Sequence, residues 1–402
     1  MLLNKQQEKV VRSKEQHIFL LAGAGSGKTR VVIERIKYLL QNNIAPSAIL
    51  AITFTHKASV EMQERLNTRS VAIHTFHQFA FQYLKAYTIY PYKIIDEQKL
   101  PYNEKELLDI SLYKNHFYQI KKPKAFDAYQ LYLAKHRLKD FDDLLIDLLN
   151  TLKQKIIKIN FQYIFVDEFQ DTNELQYLIL KEMIHQKTYV LAVGDPDQSI
   201  YQFRGANSKI IERYIKDYQA KVEVLDMNYR STPKIINISN QFIQQNIRKL
   251  KKTLMSVNQE NYEIKKLIFE SLELEAEFII QTYKTFINQG SMPNEIAVLY
   301  RNHQRSYVLK NMLNQYFIDD EIHIQLLTMH QAKGLEFDVV FIIGLEEGEC
   351  PSYHTDTYDT LEEERRLMYV AMTRAKKYLY LTYTKNTGQY KRKSKFFKNV
   401  KL

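Results

Sequence analysis

The sequence predicts an α/β protein with two parallel sheets and a mainly helical segment inserted in the first of two domains. Strands that are buried on both faces of a parallel sheet read as short apolar runs, and here each run is followed by a helical pattern. The first set of runs lies at residues 18–21, 48–53, 163–166, 189–193 and 222–225. The second set lies at residues 265–269, 296–300, 324–328, 338–343 and 378–383.

Residues 78–158 break this alternation, since they are rich in Lys and Tyr and carry a mainly helical pattern. Repeated strand–helix units build one sheet with helices on its faces. We therefore expect a first domain of residues 1–77 and 159–224, a helical insertion of residues 78–158, and a second domain of residues 225–402. A basic tail from Lys385 to Leu402 ends the second domain.

Composition limits the classes of protein that the chain can represent. Its 402 residues suffice for two ordinary domains, and 57 Lys and Arg against 46 Asp and Glu give a net charge of +11. Such a basic excess suits a polyanionic partner, although it is a weak signal by itself. The single cysteine, Cys350, excludes an intrachain disulfide and fits a reducing compartment. No apolar run approaches the roughly 18 residues that a membrane span needs, so we expect a soluble, cytoplasmic protein.

A glycine-rich loop follows the first apolar run and opens a helical pattern. Its residues are Ala22, Gly23, Ala24, Gly25, Ser26, Gly27, Lys28 and Thr29. Glycines let backbone N–H groups converge on phosphate oxygens, and the following helix N-terminus adds partial positive charge. Lys28 is expected to reach the β- and γ-phosphates of ATP, and to face solvent when no nucleotide is bound; the Thr29 hydroxyl is expected to hold Mg²⁺. Ala22 stands where the strict phosphate-loop pattern has Gly. The alternative interpretation, a turn of small residues between strand and helix, would not require Lys28 and Thr29.

Two further motifs indicate hydrolysis. The apolar run 163–166 delivers two adjacent carboxylates, Asp167 and Glu168. Asp167 is expected to hold Mg²⁺, and Glu168 to accept a proton from the water that attacks the γ-phosphate. Gln198 follows the end of the run 189–193, where its amide is expected to sense the γ-phosphate.

The order of these motifs resembles that of superfamily 1 helicases of the UvrD/Rep/PcrA type, and the resemblance covers nearly the whole chain. Matching segments lie at residues 3–7, 53–58, 75–77, 140–145, 228–232, 328–337, 364–367 and 370–375. The resemblance implies two RecA-like motor domains, that is, a P-loop NTPase fold. It also implies that Gln7 reads the adenine, that Tyr229 and Arg30 flank it, and that Glu336 contacts the ribose.

Two arginines of the second domain, Arg230 and Arg374, are implied to act as arginine fingers. A lone arginine is most often part of a surface ion pair, but both of these lie inside recognisable motifs. Cations that reach the γ-phosphate stabilise the spread negative charge of the transition state. We therefore expect nucleotide binding to bring the two motor domains together, which would be the mechanical stroke.

The predicted DNA contacts combine aromatic rings with polar motif residues. Phe54, Tyr201 and Phe203 offer rings on which bases stack without regard to sequence, and the family usually has Trp where Phe203 stands. The other predicted contacts are Thr55, Lys57, Thr75, His77, Arg204, Thr328 and His330. The resemblance thus predicts an ATP- and Mg²⁺-dependent motor that moves 3′ to 5′ on single-stranded DNA and takes 3′-tailed duplexes.

One departure from the family concerns a large accessory domain that its members usually carry inside the second motor. Here the helix through Gln315 leads to Ile324 by a short connection near Phe317–His323, which leaves no room for that insertion. Alternatives therefore stay open: a translocase that does not unwind, an ATP-dependent subunit of a repair or phage-defence complex with a partner such as a nuclease, and a motor on RNA.

Overall fold

The structure is a computed structural model that describes residues 2–68, 70–87, 91–96, 99–290, 292, 295–316, 324–352 and 357–401. Its internal contacts divide the chain into two compact units. The first unit contains Met1–Ala22 and Lys28–Leu225, and the second contains Gly23–Gly27 and Asp226–Leu402. Five residues of the glycine-rich loop thus group with the second unit. Among the described helices, none is both long and apolar enough to cross a membrane.

A parallel sheet of six strands forms the centre of the first unit, in the order β3-β2-β6-β7-β1-β8. The strands of this unit are β1 (His17–Ala22), β2 (Ile49–Thr53), β3 (Ala72–Thr75), β4 (Lys93–Ile94), β5 (Leu138–Lys139), β6 (Tyr163–Val166), β7 (Tyr189–Gly194) and β8 (Lys221–Leu225). β4 and β5 form a separate two-stranded parallel sheet. Phe19 of β1 pairs with Ala192 of β7, and buried side chains on both faces explain the continuous apolar runs.

Nine described helices belong to the first unit. They are α1 (Lys5–Val11), α2 (Lys28–Gln41), α3 (His56–Leu66), α4 (Phe76–Tyr87), α5 (Glu104–Asn115), α6 (Phe126–Lys135), α7 (Phe141–Lys153), α8 (Glu174–Met183) and α9 (Lys209–Asp217). Four of them begin with a capping box, in which the N-cap residue and the third helical residue bond each other's backbone N–H groups. The N-cap residues are Asn4, Asn103, Asp140 and Asn173.

A buried ion cluster joins α5 to α7. The Lys114 ammonium, fully buried, lies 2.5 Å from Asp140 Oδ2 and 2.7 Å from Asp143 Oδ1. The Tyr129 hydroxyl of α6 also donates to Asp140, at 2.8 Å. Burial raises the pKa of the Asp140 carboxyl, but the adjacent Lys114 charge prevails and lowers it below its usual value. Three helices are therefore fixed to one another around a single buried cation.

The second unit is built on a parallel sheet of five strands in the order β11-β15-β14-β12-β13. Its strands are β9 (Met227–Asn228), β10 (Met255–Ser256), β11 (Ile264–Ser271), β12 (Ile296–Tyr300), β13 (Gln325–Thr328), β14 (Phe337–Ile342) and β15 (Ala375–Asn386), of which β9 and β10 pair separately. Its helices are α10 (Pro233–Ile243), α11 (Leu272–Asn288), α12 (Tyr307–Tyr316), α13 (Tyr358–Met372) and α14 (Lys395–Asn399). Buried Arg305 pairs with Glu275 of α11 and with Glu346, which follows β14.

The predicted α/β class with parallel sheets is confirmed, and each predicted apolar run corresponds to a strand within a few residues. β3 was not predicted, because Ala72–Thr75 is short and half of its residues are polar. The residues of the predicted short connection near Phe317–His323 lie outside the described part of the chain. α12 ends at Tyr316 and β13 begins at Gln325.

Candidate ATP-hydrolysis and DNA-binding sites

Three neighbouring strands of the first unit, β6, β7 and β1, end at the same edge of the sheet. In open α/β sheets this carboxyl edge is where ligands bind. α2 begins at Lys28 and Thr29 soon after β1, Asp167 and Glu168 follow β6, and Asp195 follows β7. The strand order therefore brings the predicted phosphate-binding and hydrolytic residues of this unit together.

Lys28 is not a solvent-facing lysine. Its Nζ lies 3.1 Å from Glu168 Oε1, and its side chain is only 11% exposed. Burial by itself lowers the pKa of Lys28, but the charges of Glu168, Asp195 and Asp167 outweigh burial and raise the pKa. The expectation that Lys28 faces solvent without nucleotide is therefore wrong: carboxylates that approach from β6 and β7 hold the ammonium in place.

Thr29 and Asp167 form the pair of oxygen ligands that the sequence predicted for Mg²⁺. The Thr29 hydroxyl donates to Asp167 Oδ2 at 3.1 Å. Burial and the Glu168 charge raise the pKa of Asp167 to about 6, although Lys28 and Thr29 act in the opposite direction. No group of three or more His, Cys, Asp or Glu in the described ranges could hold a metal ion by itself. Mg²⁺ commonly takes only one or two protein oxygens beside waters and substrate phosphates, so this pair fits.

The backbone of Glu168 adopts a left-handed conformation, with φ 52° and ψ 42°. Residues other than Gly rarely occupy this region, and such strain collects at functional sites. Here it turns the chain from β6 into the 3₁₀ turn Phe169–Asp171. Because the chain turns here instead of continuing as a strand, the Glu168 carboxylate contacts Lys28.

Buried Gln170 links Glu168 to the segment that follows β7. Its Nε2 donates to Glu168 Oε2, and its Oε1 accepts a hydrogen bond from the Asp195 backbone N–H at 2.9 Å. The Gln170 carbonyl accepts from the Ser199 hydroxyl at 3.2 Å. A Cβ atom on Gly194 would lie 2.8 Å from Gln170 Oε1, so only glycine leaves room for this arrangement.

The predicted γ-phosphate sensor Gln198 lies in the same segment. It is buried, and its Nε2 donates to Asp195 Oδ2 at 2.5 Å. Asp195 in turn caps the 3₁₀ turn Pro196–Gln198. Gln198 is thus tied through Asp195 to Gln170, and through Gln170 to Glu168.

Residues Gly23–Gly27 of the glycine-rich loop belong to the second unit. They contact residues near the start of that unit's long segment, Asp226–Leu402. Asn228 Nδ2 donates to the Ala24 carbonyl at 2.7 Å, and the Tyr229 N–H donates to the Gly25 carbonyl at 2.9 Å. Asn228 Oδ1 also accepts from the backbone N–H groups of Arg230 and Ser231. Gly25 has φ +64°, and a Cβ atom there would lie 2.6 Å from Asn228 Nδ2. Glycine is therefore required at this position for both backbone and packing reasons.

The two predicted arginine fingers lie close together in the second unit. Arg230 Nε donates to Glu336 Oε2 at 2.7 Å, and its Nη1 donates to the Thr373 carbonyl at 3.3 Å. Arg374, 2% exposed, donates to the carbonyls of Val370 and Leu335 at 2.9 and 3.1 Å. The structure thus brings Arg230, Arg374 and the predicted ribose ligand Glu336 into one cluster. Burial raises the pKa of the Glu336 carboxyl, but Arg230 and Lys376 prevail and lower it.

The predicted adenine-contacting residues have different surroundings. Gln7 is buried and takes part in the α1 capping box, where its Oε1 accepts from the Asn4 backbone N–H at 3.1 Å. Arg30 lies in the first turn of α2 and Tyr229 lies just after β9; both are partly exposed. Their roles toward adenine stay predictions.

The predicted DNA-stacking rings of the first unit form a cluster. The rings of Phe54 and Tyr201 are stacked, with centroids 5.2 Å apart and planes 20° apart. Phe203, 45% exposed, lies 6.2 Å from Tyr201, and the Arg204 guanidinium lies over both Tyr201 and Phe203. Phe54 follows β2, and the other three residues follow β7.

The polar residues predicted to contact DNA cap turns near strand ends. Thr55 caps α3, with its hydroxyl accepting from Ala58 N, and Lys57 is exposed in the first turn of that helix. Thr75 is bonded reciprocally with Gln78 just after β3. His77 lies edge-on to Phe141, and burial lowers its pKa to about 4, so it is neutral. In the second unit, Thr328 is bonded to Gln331 after β13, beside partly exposed His330.

Sequence reasoning assigned no role to three site residues, Gln170, Asp195 and Asn228. All three belong to motifs that resemble the family's. The signal available was weak: each is a polar residue one to three positions from a predicted functional residue, between apolar neighbours or at a turn. Their contacts are with residues 25 and 204 positions away, which a single sequence cannot show.

Comparison with known proteins gives the family. Residues 3–97 and 92–219 match the UvrD/REP helicase N-terminal domain, and residues 223–322 and 316–386 match the UvrD-like helicase C-terminal domain. The chain belongs to the UvrD-like helicase family, with two RecA-like motor domains. The resemblance seen in the sequence is thereby confirmed.

Individual relatives agree with this membership. A "Probable DNA helicase" of Mycoplasma pneumoniae is 31% identical over 94% of this chain and 83% of its own length. A "Probable DNA helicase II homolog" of Mycoplasma capricolum is 34% identical over 75% of this chain, and the "ATP-dependent DNA helicase PcrA" of Staphylococcus epidermidis is 32% identical over 77%. The chain spans about half the length of each of the latter two relatives.

Proposed function

We propose that this protein is an ATP- and Mg²⁺-dependent DNA helicase or translocase that moves 3′ to 5′ on single-stranded DNA and acts in DNA repair or recombination in the cytoplasm. The observation that carries the proposal is the constellation of Lys28, Thr29, Asp167 and Glu168 at one sheet edge. Family membership and relatives named DNA helicases support it. The 3′-to-5′ direction rests on resemblance alone.

The predicted site residues have distinct chemical tasks in this proposal. Backbone N–H groups of the loop and the Lys28 ammonium bind the phosphates of ATP, which displaces Lys28 from Glu168. Thr29 and Asp167 would hold Mg²⁺, which would neutralise charge on the phosphates. Released from Lys28 but still held by Gln170, Glu168 accepts the proton of the attacking water. Arg230 and Arg374 stabilise transition-state charge.

Single-stranded DNA is the proposed track because three aromatic rings, one exposed and two partly exposed, follow strand ends of the first unit. The rings of Phe54, Tyr201 and Phe203 suit unpaired bases, which offer their faces for stacking, whereas duplex bases do not. Tyr201 lies three residues from Gln198, so DNA binding at the rings and ATP binding at Gln198 involve one continuous segment. This proximity is the proposed route of coupling.

The test combines an ATPase assay with an unwinding assay. We expect single-stranded DNA to stimulate hydrolysis, and a duplex of about 20 base pairs with a 3′ tail to open while a 5′-tailed one does not. Lys28→Ala is expected to abolish hydrolysis, and Glu168→Gln to keep ATP binding but lose turnover, because only the proton acceptor is removed. Preference for the 5′ tail would overturn the polarity, and unchanged ATPase activity of Lys28→Ala would overturn the site.

A second candidate is a DNA-stimulated ATPase that does not unwind, or an ATP-dependent subunit working with a repair or nuclease partner. One observation favours it: only residues 317–324 separate α12 from β13, where relatives of this family usually carry an accessory domain. Each base-pair step costs roughly 1.4 kcal/mol to open, so a stepping motor has the energy but less grip on a duplex. DNA-stimulated hydrolysis without opening of either tailed substrate would favour this candidate.

A further inference from the structure

Two segments of the second unit are basic and contain no acidic residue. Residues 227–259 and residues 375–402 lack Asp and Glu altogether but contain several Lys and Arg. The second segment includes the run Lys391-Arg392-Lys393-Ser394-Lys395. A basic run is often only a solvated chain end, so what matters is where the fold places it.

The fold packs these two segments against each other. The rings of Phe242 on α10 and Phe396 on α14 meet edge to face with centroids 5.2 Å apart. Asn399 Nδ2 donates to Gln245 Oε1 at 2.8 Å, just after α10. Phe396 and Phe397 are buried, which fixes the short helix α14 on the unit. The basic run and α14 are therefore an ordered part of the surface, and the basic loop 246–253 begins directly after Gln245.

A third segment adds one cation at the same place. Lys266 of β11 donates to the Val400 carbonyl at 2.7 Å, and its Nζ lies 4.6 Å from the centre of the Phe397 ring. Burial, and to a smaller extent the nearby Lys393 charge, lower the pKa of Lys266. Three sequence-distant segments thus concentrate positive charge around α14.

The carboxylates that the structure describes near α14 are engaged by groups other than the exposed cations of these segments. Glu362 is buried and accepts from the Ile247 backbone N–H, Glu347 accepts from the Lys395 backbone N–H, and Glu270 pairs with Lys385. Lys251, Arg392 and Lys398 are exposed, and none of them forms an ion pair with any residue that the structure describes. We name Lys251, Lys266, Arg392, Lys393, Lys395 and Lys398 the C-terminal basic surface.

We propose that the C-terminal basic surface binds the phosphate backbone of duplex DNA, as a second DNA site separate from the single-strand track. Duplex DNA presents one negative charge per about 1.7 Å, twice the density of a single strand, and so matches clustered cations. The rings beneath this surface, Phe242, Phe396 and Phe397, are buried and cannot stack on unpaired bases. The proposal rests on the proposed function, and it would give the motor a grip on the duplex that does not depend on an accessory domain.

The experiment measures binding of a blunt 20-base-pair duplex, without nucleotide, by fluorescence anisotropy over a range of salt concentrations. The test variant combines Lys251→Glu, Arg392→Glu and Lys398→Glu. We expect its affinity for the duplex to fall at least tenfold at low salt. The slope of log affinity against log salt is expected to become shallower by about 2–3, because each lost phosphate contact contributes about −0.9.

A matched control carries the same charge change elsewhere. Lys14, Lys187 and Lys216 are exposed and lie near the starts of β1, β7 and β8, at the opposite sheet edge from the ATP site. We expect the control with all three changed to Glu to bind the duplex within threefold of wild type. Equal affinity and equal salt slope of the test and control variants would overturn the proposal and leave an acidic protein as the alternative partner.

Two further measurements keep the result interpretable. Single-strand-stimulated ATPase activity of the test variant is expected to stay within twofold of wild type, which separates this proposal from the proposed function. If the wild type shows no DNA-stimulated hydrolysis, the proposed function fails while duplex binding is still measured. Should the charge-reversed variant not fold, as judged by circular dichroism, the Lys251→Gln, Arg392→Gln and Lys398→Gln variant takes its place; an unchanged slope there also overturns the proposal.

Discussion

At the scale of single residues, orientation of the Glu168 carboxylate depends on two neighbours. Lys28 contacts one carboxylate oxygen and Gln170 contacts the other. A general base works only within hydrogen-bond reach of the proton that it accepts. Since Lys28 is expected to turn to the phosphates when ATP binds, Gln170 is left as the side chain that orients Glu168.

Replacement of Gln170 by Glu tests this role. The carboxylate keeps an acceptor for the Asp195 N–H but loses the donor to Glu168 and places a like charge beside it. We expect kcat for DNA-stimulated hydrolysis to fall by about a hundredfold, while the KM for ATP changes less than threefold. Steady-state kinetics over a range of ATP concentrations give both values.

Gln176→Glu provides the matched control. Gln176 is also buried and also accepts from a backbone N–H, that of Asn173, in the capping box of α8. Glutamate serves equally well at this position of a capping box. We expect kcat of the control to stay within twofold of wild type, and a wild-type kcat for Gln170→Glu would show that Glu168 is oriented without Gln170.

At the scale of secondary-structure elements, the ion cluster of α5 and α7 fixes the helices between residues 104 and 153. Lys114 is fully buried between Asp140 and Asp143. Removal of one partner from a buried ion cluster costs more than the cluster itself contributes, because uncompensated charges stay behind. The geometry of these helices therefore depends on a single lysine.

Lys114→Met is expected to lower the free energy of unfolding of the first unit by about 3–5 kcal/mol. Urea unfolding followed by circular dichroism measures this, since the chain has no Trp for fluorescence. Lys105→Met, on the exposed face of the same helix, is expected to change stability by less than about 0.5 kcal/mol. Adding Asp140→Asn and Asp143→Asn to Lys114→Met should restore part of the loss; no restoration would contradict the electrostatic explanation.

The stacked rings at the ends of β2 and β7 give a prediction for DNA binding. Phe54→Ala and Phe203→Ala are each expected to weaken binding to single-stranded DNA by roughly 1–3 kcal/mol. Because the Phe54 and Tyr201 rings contact each other, Phe54→Ala and Tyr201→Ala should not be additive in a double-mutant cycle. Tyr218→Ala, beside His17 at the opposite sheet edge, serves as the control and should leave affinity within twofold.

Ten of the eleven strands in the two large sheets could be predicted from the sequence, because buried parallel strands are marked by apolar runs. The predicted catalytic carboxylates directly follow one of these runs. The sequence could not predict the surroundings of Lys28, whose ion pair spans 140 residues and depends on the order of β6 and β1 in the sheet. The Lys114 cluster was missed for the same reason. The short strand β3 has no apolar run, since two of its four residues, His74 and Thr75, are polar.

At the scale of the whole molecule, the proposed hydrolysis is expected to depend on the two predicted arginine fingers. Arg230→Ala and Arg374→Ala are each expected to reduce DNA-stimulated turnover by at least roughly two orders of magnitude. ATP affinity should fall less, because the fingers act mainly on the transition state. Turnover and equilibrium ATP binding, measured on the same variants, separate the two effects.

Arg374 is buried whereas Arg230 is partly exposed, so their variants are expected to differ in stability. Arg374 donates to two carbonyls inside the second unit, so Arg374→Ala should also destabilise that unit by about 1–3 kcal/mol. Lys376→Ala is the matched control, since Lys376 pairs with Glu336 at 3.1 Å as Arg230 does but has no predicted finger role. Near-normal turnover of either arginine variant would identify that arginine as a structural residue rather than a finger.

The grouping of Gly23–Gly27 with later residues limits how this chain can be divided. A gene fragment that stops at Leu225 would encode all six strands of the first sheet but not Asn228, whose amide holds the Ala24 carbonyl. Such a fragment would fold around an unsupported glycine-rich loop. The two units are therefore poor candidates for separate exchange between proteins by recombination. We expect them to be inherited together.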